Sequence, residues 1–358
     1  MEGDVLLASI EYPPYGGGAG IVAHQLANDI KSEGYSIHLL RGSKFDYSLL
    51  GRLLSPHITN IKFCKDFRSK YFSAYIINDT LSYFWAGLYL TDEQLNRTVC
   101  IVHGENFLKF TVNSDCLTKL RGYTYAYSRV LRKSKAIVCV SDYLKEKILQ
   151  NFPELHDKVT REYCGIVGLS KNEDCNNKHD PILKKSKVNI ITVSRITKNK
   201  GLDKMYSAAL YMHEQGLDFS WNIVGGGDYL NELTELVNNG PIKDKVSLQG
   251  YVNRTSLKQH YKKADVFWLM PVYPEAFGLV FIEAQSYGLS CVASGVGGII
   301  ESVNPTTGAL IRIDDKVGIY TYFSSFRECS DAYFSNVSFS SRFNSIDFAK
   351  KIMGTYFE

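Results

Sequence analysis

The sequence predicts an α/β chain built as two doubly wound parallel-sheet domains that face a cleft. Three observations predict it. Short apolar runs alternate with amphipathic stretches through the first half, residues 168–186 break that rhythm with a polar segment, and the alternation then restarts. Runs that are apolar on both faces belong to parallel sheets covered by helices on each side.

In the first half the runs are "DVLLASI" (4–10), "SIHLL" (36–40), "AYII" (74–77), "RTVCIVHG" (97–104) and "KAIVCVS" (135–141). Between the first two, Ile21, Val22, Leu26 and Ile30 keep helical spacing. The segment "GLSKNEDCNNKHDPILKKS" (168–186) is charged and nearly free of large apolar residues, as linkers are. The second half continues with "VNIITVSRI" (188–196), "FSWNIVGGG" (219–227), "KVSLQGYV" (245–252), "ADVFWLM" (264–270), "SCVASG" (290–295) and "ALIRI" (309–313). The expected boundaries are a first domain over 1–167, a linker over 168–187 and a second domain over 188–340.

Composition agrees with two soluble cores. A chain of 358 residues, 45% hydrophobic and 22% charged, has the length of roughly two domains. A net charge of +4 is too small to argue for nucleic acid, and no nucleic-acid-binding motif is present. The eight cysteines form no C-x-x-C pair, and Cys139 and Cys291 lie inside apolar runs, the usage of a reducing cytosol. The start "MEGDVLL" lacks a signal peptide's basic region, and no apolar stretch nears the ~20 residues that span a bilayer. A cytoplasmic protein is expected, with contact at the inner face of the membrane as an option.

In doubly wound sheets ligands bind beyond the carboxyl ends of the strands, so chemistry is expected there. "PPYGGGAG" (13–20) is a strand-to-helix turn of the kind that receives phosphate, although it is neither the G-x-G-x-x-G fingerprint nor a P-loop. "VSRITKNKG" sets Arg195 at a strand end and Lys200 before Gly201 and a helix. Two cations at such a junction suit a diphosphate, and a solvated basic loop would read the same. "NIVGGGDYLNEL" ends a strand in Gly225–Gly227 before a helix expected to be capped near Asp228; the glycines suit close approach to a base or phosphate, or simply a turn.

The densest stretch is "PVYPEAFGLVFIEAQSYG" (271–288), with Glu275 in a loop and Phe277 beginning a helix that carries Glu283. Eight residues turn a helix by about 800°, so the carboxylates do not flank one bond as a glycosidase pair would. They suit acceptance from hydroxyls; equally, Glu275 could be an anion at a helix start and Glu283 an exposed helical residue. "IINDTLSYFWAG" (76–87) brings Asn78 and Asp79 to a strand end, followed by aromatics that serve either an acceptor or a core. Two basic, aromatic stretches, 62–72 and 119–135, suit an anionic membrane surface or a solvated face.

The stretches "RITKNKG", "IVGGGDYLNEL", "LQGYVNRTSL" and "PEAFGLVFIEAQSYGLSCVASGVGGIIESV" follow one another in the order and spacing of retaining glycosyltransferases. The chain resembles glycosyltransferase family 4, with Glu275 and Glu283 as the Glu-x7-Glu signature and Gly297 to Glu301 as the GGxxE behind it. The likeness continues more weakly through "YPPYGGGAGIVAHQLA", "VHG" (102–104) and "VSDYLKEKI" (140–148). It implies the GT-B fold of two Rossmann-like domains, with a last helix, 341–358, crossing back to the first. The segment "YCGIVG" (163–168) lacks the family's Asn-Gly turn, and "MPVYPEAFG" lacks the serine often found before the first glutamate.

The resemblance implies roles residue by residue. His103 and Glu275 would act at the donor sugar, and Arg195 and Lys200 would hold the diphosphate, with Gly17 and Gly18 approaching it from the first domain. Gly225, Tyr251, Val252, Phe277, Gly278, Leu279 and Glu283 would contact the donor sugar and nucleoside, Glu283 through the ribose. Asn78 and Asp79 are the candidates on the acceptor side.

The implied activity is that of a hexosyltransferase that retains configuration. It would move a sugar from a nucleotide-diphosphate sugar, UDP ahead of GDP, to a saccharide or lipid-linked acceptor in bacterial cell-surface polysaccharide or lipopolysaccharide assembly. The alternatives are transfer to a small soluble acceptor, or an inactive sugar-nucleotide-binding protein of the same fold. No cofactor is expected. No Asp-x-Asp occurs, so no obligatory divalent metal is expected either.

Overall fold

The computed structural model describes residues 3–13, 17–43, 46, 48–67, 69–165, 187–326 and 330–357. The expected linker lies outside the described residues except for Lys187, as does half of the segment 163–168. The chain divides into two compact units, Met1–Val167 with Phe343–Glu358, and Gly168–Arg342.

The first unit holds β1 (Asp4–Ser9), β2 (Ser36–Arg41), β3 (Ala74–Ile77), β4 (Thr98–Val102), β5 (Ala136–Cys139) and β6 (Val159–Arg161). They form one parallel sheet in the order β2-β1-β3-β4-β5-β6. Every residue of β3, β4 and β5 is buried, because helices cover both faces. The strand β6 was not expected; three residues long, with only Val159 buried, it carries too little periodicity to be read.

The second unit repeats the plan with β7 (Val188–Val193), β8 (Phe219–Val224), β9 (Val246–Gly250), β10 (Val266–Leu269), β11 (Ser290–Ala293) and β12 (Ala309–Leu310). All pairs are parallel, in the order β12-β11-β10-β7-β8-β9. Alternation along β10 feeds two cores. Val266 and Trp268 pack with Met205, Trp221 and Leu233, whereas Phe267 and Leu269 pack with Phe281, Ala284 and Cys291. Each such side chain contributes about 1.5–3 kcal/mol through burial. Three boundaries differ from expectation. Gly278 sits at φ +90°, so the helix after Glu275 runs Leu279–Ser286 and excludes Phe277. The helix expected near Asp228 runs Leu230–Asn238 behind Tyr229, with no side-chain cap. In "ALIRI" only Ala309–Leu310 pairs as strand.

Both sheets reverse winding direction once, and the reversal positions the candidate site. In the first unit β1 has β2 on one side and β3 on the other; in the second, β7 has β8 on one side and β10 on the other. At such a reversal the loops after the two central strands diverge and leave a crevice at their carboxyl ends.

The last helix, Ser345–Phe357, belongs to the first unit and packs on α1 (Gly18–Ser32). It buries Phe348, Ala349, Ile352 and Met353. Lys351 pairs with Glu162 at 2.8 Å and Lys350 with Glu33 at 3.6 Å.

The two basic stretches are more inward than their sequence suggests. In 62–72, Phe63 packs on Trp85 at 5.3 Å and Phe67 on Phe72 at 5.6 Å between ring centres. In 119–135, Tyr123 and Tyr127 are buried, stacked on Phe84 and Tyr83. Arg129 and Lys133 both reach Asp92, and Arg132 reaches Glu154 at 3.5 Å. The stretch has no acid of its own, but the fold supplies acids from elsewhere.

The glycine cluster before α1 separates into two kinds. A Cβ at Gly20 would lie 1.8 Å from the carbonyl oxygen of Glu11, whereas at Gly18 it would meet nothing within 4 Å among the described residues. Gly20→Ala should therefore destabilise the first unit by about 1–3 kcal/mol, and Gly18→Ala should stay within about 0.5 kcal/mol of wild type. Urea unfolding of both variants measures this, and equal stabilities would contradict the assignment.

Candidate functional site

In the second unit the loops that follow β7 and β10, at the winding reversal, hold each other through backbone contacts. After β7 the chain passes Arg195 and makes the short turn Lys198–Lys200. Gly201 follows at φ +73°, where a Cβ would lie 2.4 Å from the carbonyl oxygen of Met270. The Val272 amide donates to the Asn199 carbonyl at 2.9 Å. After β10 the loop carrying Glu275 is held from the other side. Glu275 bridges Gly297, and its carbonyl accepts from the Gly298 amide at 2.8 Å. Cβ atoms at Gly297 and Gly298 would fall 2.5 and 2.1 Å from the carbonyl oxygens of Glu275 and Ala276, so only glycine fits.

These contacts bring together two residues 75 positions apart: Lys200 Nζ donates to Glu275 Oε1. The side chains are 13% and 28% exposed. Lys198, two residues earlier, points elsewhere and pairs with Glu232 at 3.0 Å. Arg195 is exposed at the same strand end, and its guanidinium has no hydrogen bond or ion pair among the described residues. Beside them begins the Leu279–Ser286 helix, with no side-chain cap and no acid in its first turn, leaving its amide end positive. Phe277 is buried just before it. Two cations and a helix start can neutralise a diphosphate; a carboxylate among them can accept hydroxyl hydrogens.

Glu283 lies on that helix, half-buried rather than exposed. Tyr261 Oη donates to its Oε2 at 3.4 Å, and burial raises its carboxyl above the usual range while Arg254 opposes the shift. Tyr251, after β9, is 85% exposed, and Val252 follows it half-buried. Gly225 has a structural role of its own. At φ +144° its Cβ would lie 1.8 Å from the carbonyl oxygen of Ser194, so close packing on its own chain already requires glycine there. Gly227 does the same against Ile196, at 2.2 Å.

The first unit gathers His103, Asn78 and Asp79 beyond β4 and β3. Asn78 and Asp79, expected on the acceptor side, are both buried, with their polar atoms taken up inside. Asp79 Oδ1 accepts from the Leu81 and Ser82 amides and from Ser82 Oγ, capping the Thr80–Tyr89 helix. Its Oδ2 accepts from Ser9 Oγ at 2.9 Å and the Glu11 amide at 3.0 Å. Asn78 Nδ2 donates to the Ala19 carbonyl at 2.9 Å and to Ser9 Oγ at 3.2 Å, which fixes the amide orientation. Asn78 Oδ1 must then accept from His103 Nε2, 2.8 Å away. The imidazole therefore carries its proton on Nε2 and presents Nδ1 as an acceptor. Burial pushes its pKa down to about 4, so it is neutral at pH 7. Ala19 opens α1 beside Gly17 and Gly18, so the same amide ties the histidine to the glycine turn.

Asn78 as the orienter of His103 was not foreseen, since the partners lie 25 residues apart and nothing in the sequence couples them. Gly297 and Gly298 were visible as a motif, but their task of clamping Glu275 was not.

Residues 174–317 match the family model described as "Glycosyl transferases group 1". An uncharacterized glycosyltransferase of Methanocaldococcus jannaschii is 33% identical over 177 residues, 48% of this chain and 45% of that protein. The amylovoran biosynthesis glycosyltransferase AmsK of Erwinia amylovora is 32% identical over 120 residues, 32% of this chain and 29% of that one. The chain thus spans less than half the length of either relative. Among solved structures, the sucrose-phosphate synthase of Thermosynechococcus elongatus superposes with a TM-score of 0.76 at 19% identity, covering 99% of this chain and 98% of that one. An Anabaena protein solved with UDP-glucose superposes with a TM-score of 0.70 at 16% identity, covering 99% of both. These likenesses show the fold: two α/β units of the GT-B type.

The His103 environment makes stability depend on pH. Its pKa falls from 6.5 in the unfolded chain to about 4 in the folded one. The neutral imidazole's contribution is complete above pH 6.5 and is lost as pH falls toward 4. The stability advantage of wild type over His103→Gln should shrink by up to about 3 kcal/mol across that window. Urea unfolding at several pH values measures it; parallel pH profiles would contradict the burial of this imidazole.

Proposed function

We propose that the chain is a retaining glycosyltransferase, moving a sugar from a nucleotide-diphosphate sugar to a saccharide or lipid-linked acceptor. The observation that carries this reading is the meeting of Lys200 and Glu275 at the β7/β10 reversal, with Arg195 exposed at the same strand end. Arg195, Lys200 and the start of the Leu279–Ser286 helix bind the diphosphate and neutralise the charge that grows on it as the glycosidic bond breaks. Glu275 accepts from sugar hydroxyls, Glu283 from the ribose, and Tyr251 and Val252 border the nucleoside. In the first unit His103 accepts a hydroxyl through Nδ1. Gly17 and Gly18, with nothing among the described residues within 4 Å of a Cβ there, admit a sugar or phosphate to the start of α1.

Retention follows if the acceptor attacks the face from which the diphosphate departs. The leaving phosphate takes the acceptor proton, so no protein nucleophile is required, and positioning and charge neutralisation supply the rate. Neither function needs a metal. The family match over 174–317 and the curated relatives named as glycosyltransferases support this class of activity. Assembly of a bacterial surface polysaccharide is the setting we favour, with UDP the preferred base carrier and GDP the alternative.

A thermal-shift panel of UDP- and GDP-sugars identifies the donor, since binding raises apparent stability by mass action. With that donor, Lys200→Ala and Glu275→Ala should each lower sugar transfer by about 100-fold or more. EDTA should leave the wild-type rate unchanged. Near-wild-type rates for both variants would overturn the reading; loss with EDTA and recovery with Mn2+ would overturn its metal-free form.

Among the described residues no helix is long and apolar enough to cross a membrane. We propose that the helix Cys116–Leu120 and the start of the helix Tyr123–Lys133 touch an anionic membrane surface. Leu117, Leu120 and Tyr125 are 50%, 83% and 64% exposed, beside the exposed Lys119 and Arg121. Leu120→Asp should reduce co-sedimentation with vesicles containing anionic lipid several-fold; equal binding to neutral vesicles would refute the proposal.

A further inference from the structure

The Lys200–Glu275 pair occupies the position where a diphosphate would need its cation. The two groups are not long surface side chains meeting by chance. The lysine loop is fixed by the Asn199–Val272 hydrogen bond at 2.9 Å and by the close pass of Gly201 over Met270. The glutamate loop is fixed by the Gly298 amide at 2.8 Å and by the Gly297 bridge. Lys198 is engaged elsewhere, turned outward onto Glu232.

An anion reaching for Lys200 therefore meets a carboxylate already hydrogen-bonded to it, on a loop whose backbone is held in place. Two kinds of ligand face different outcomes. A sugar nucleotide brings hydroxyl donors, so Glu275 exchanges its bond to Lys200 for bonds to the sugar, and Lys200 turns to the phosphate. A bare nucleoside diphosphate brings no hydroxyl donor to that point. Glu275 then either loses its partner or keeps it beside an added negative charge, and both are unfavourable.

Resting on the donor-site reading above, we infer that Glu275 is a specificity-determining residue: it biases the site toward the sugar-bearing diphosphate and against the bare diphosphate left after transfer. Arg195 and the helix start still attract the product, so it binds, but without full use of Lys200. The device speeds product departure while the substrate is held.

Isothermal titration of UDP, UDP-glucose, GDP and GDP-mannose into wild type, Glu275→Gln, Lys200→Met and the double variant tests this, with melting temperatures to confirm folding. In Glu275→Gln the bare diphosphate should bind about three- to ten-fold tighter, while the matching sugar nucleotide binds no tighter. In the Lys200→Met background the same Glu275→Gln change should give no tightening, because the effect acts through the lysine. Equal tightening in both backgrounds would mean a general charge effect and would overturn the inference. So would an unchanged diphosphate affinity in a Glu275→Gln protein whose wild type binds normally. Failure of wild type to bind any of the four would instead overturn the donor-site reading, and this inference with it.

Discussion

The strands β3, β4, β5, β10 and β11 have no residue open to solvent, and that burial on both faces governs where polar chemistry can sit. A charged side chain along any of these strands would have to be paired or neutralised inside an apolar layer. Only the loops beyond the strand ends escape the constraint. Among them, the loops at the winding reversal are where ligands bind in doubly wound sheets. Lys200, Arg195 and Glu275 lie on the loops that follow β7 and β10, and the first unit collects Ser9, Asn78, Asp79 and Gly17 beyond β1 and β3.

The two units organise these ends by different means. In the second, backbone does the positioning: Gly201, Gly225, Gly297 and Gly298 let main chain pass within a distance that a single methyl would forbid. The functional side chains are then carried by loops that have little freedom of their own. In the first unit side chains do it. Asp79 caps the Thr80–Tyr89 helix and accepts from Ser9, while Asn78 spans Ala19, Ser9 and His103. Each polar group so buried has its partner, as such groups must.

Much of this was legible in the sequence, because apolar runs of four to six residues between helical patterns report strands buried on both sides. The signal failed where burial was partial. Val159–Arg161 and Ala309–Leu310 lie at sheet edges, where half the periodicity is missing. The candidate residues at strand ends were legible for the same topological reason, but their partners were not. That Lys200 turns inward and Lys198 outward depends on a left-handed Gly201 and on Glu232, which "TKNKG" does not reveal. Asp79 reads as an exposed acid after a strand until Ser9 and the Glu11 amide arrive from 70 and 68 residues away. That Gly225 is also required by Ser194 packed beneath it cannot be read from "VGGG".

The hydrogen bonds of Asn78 reach 25, 59 and 69 positions along the chain. Contacts of that separation close late, because loop entropy must be overcome before they contribute. The imidazole of His103 thus acquires a defined tautomer only once β1, α1, β3 and β4 have all docked. In any collapsed species with helices formed but the sheet unregistered, it would titrate as an ordinary histidine. The protonation behaviour of one ring is in this way a reporter of assembly, distinguishing a chain that has reached its final topology from one that has merely condensed.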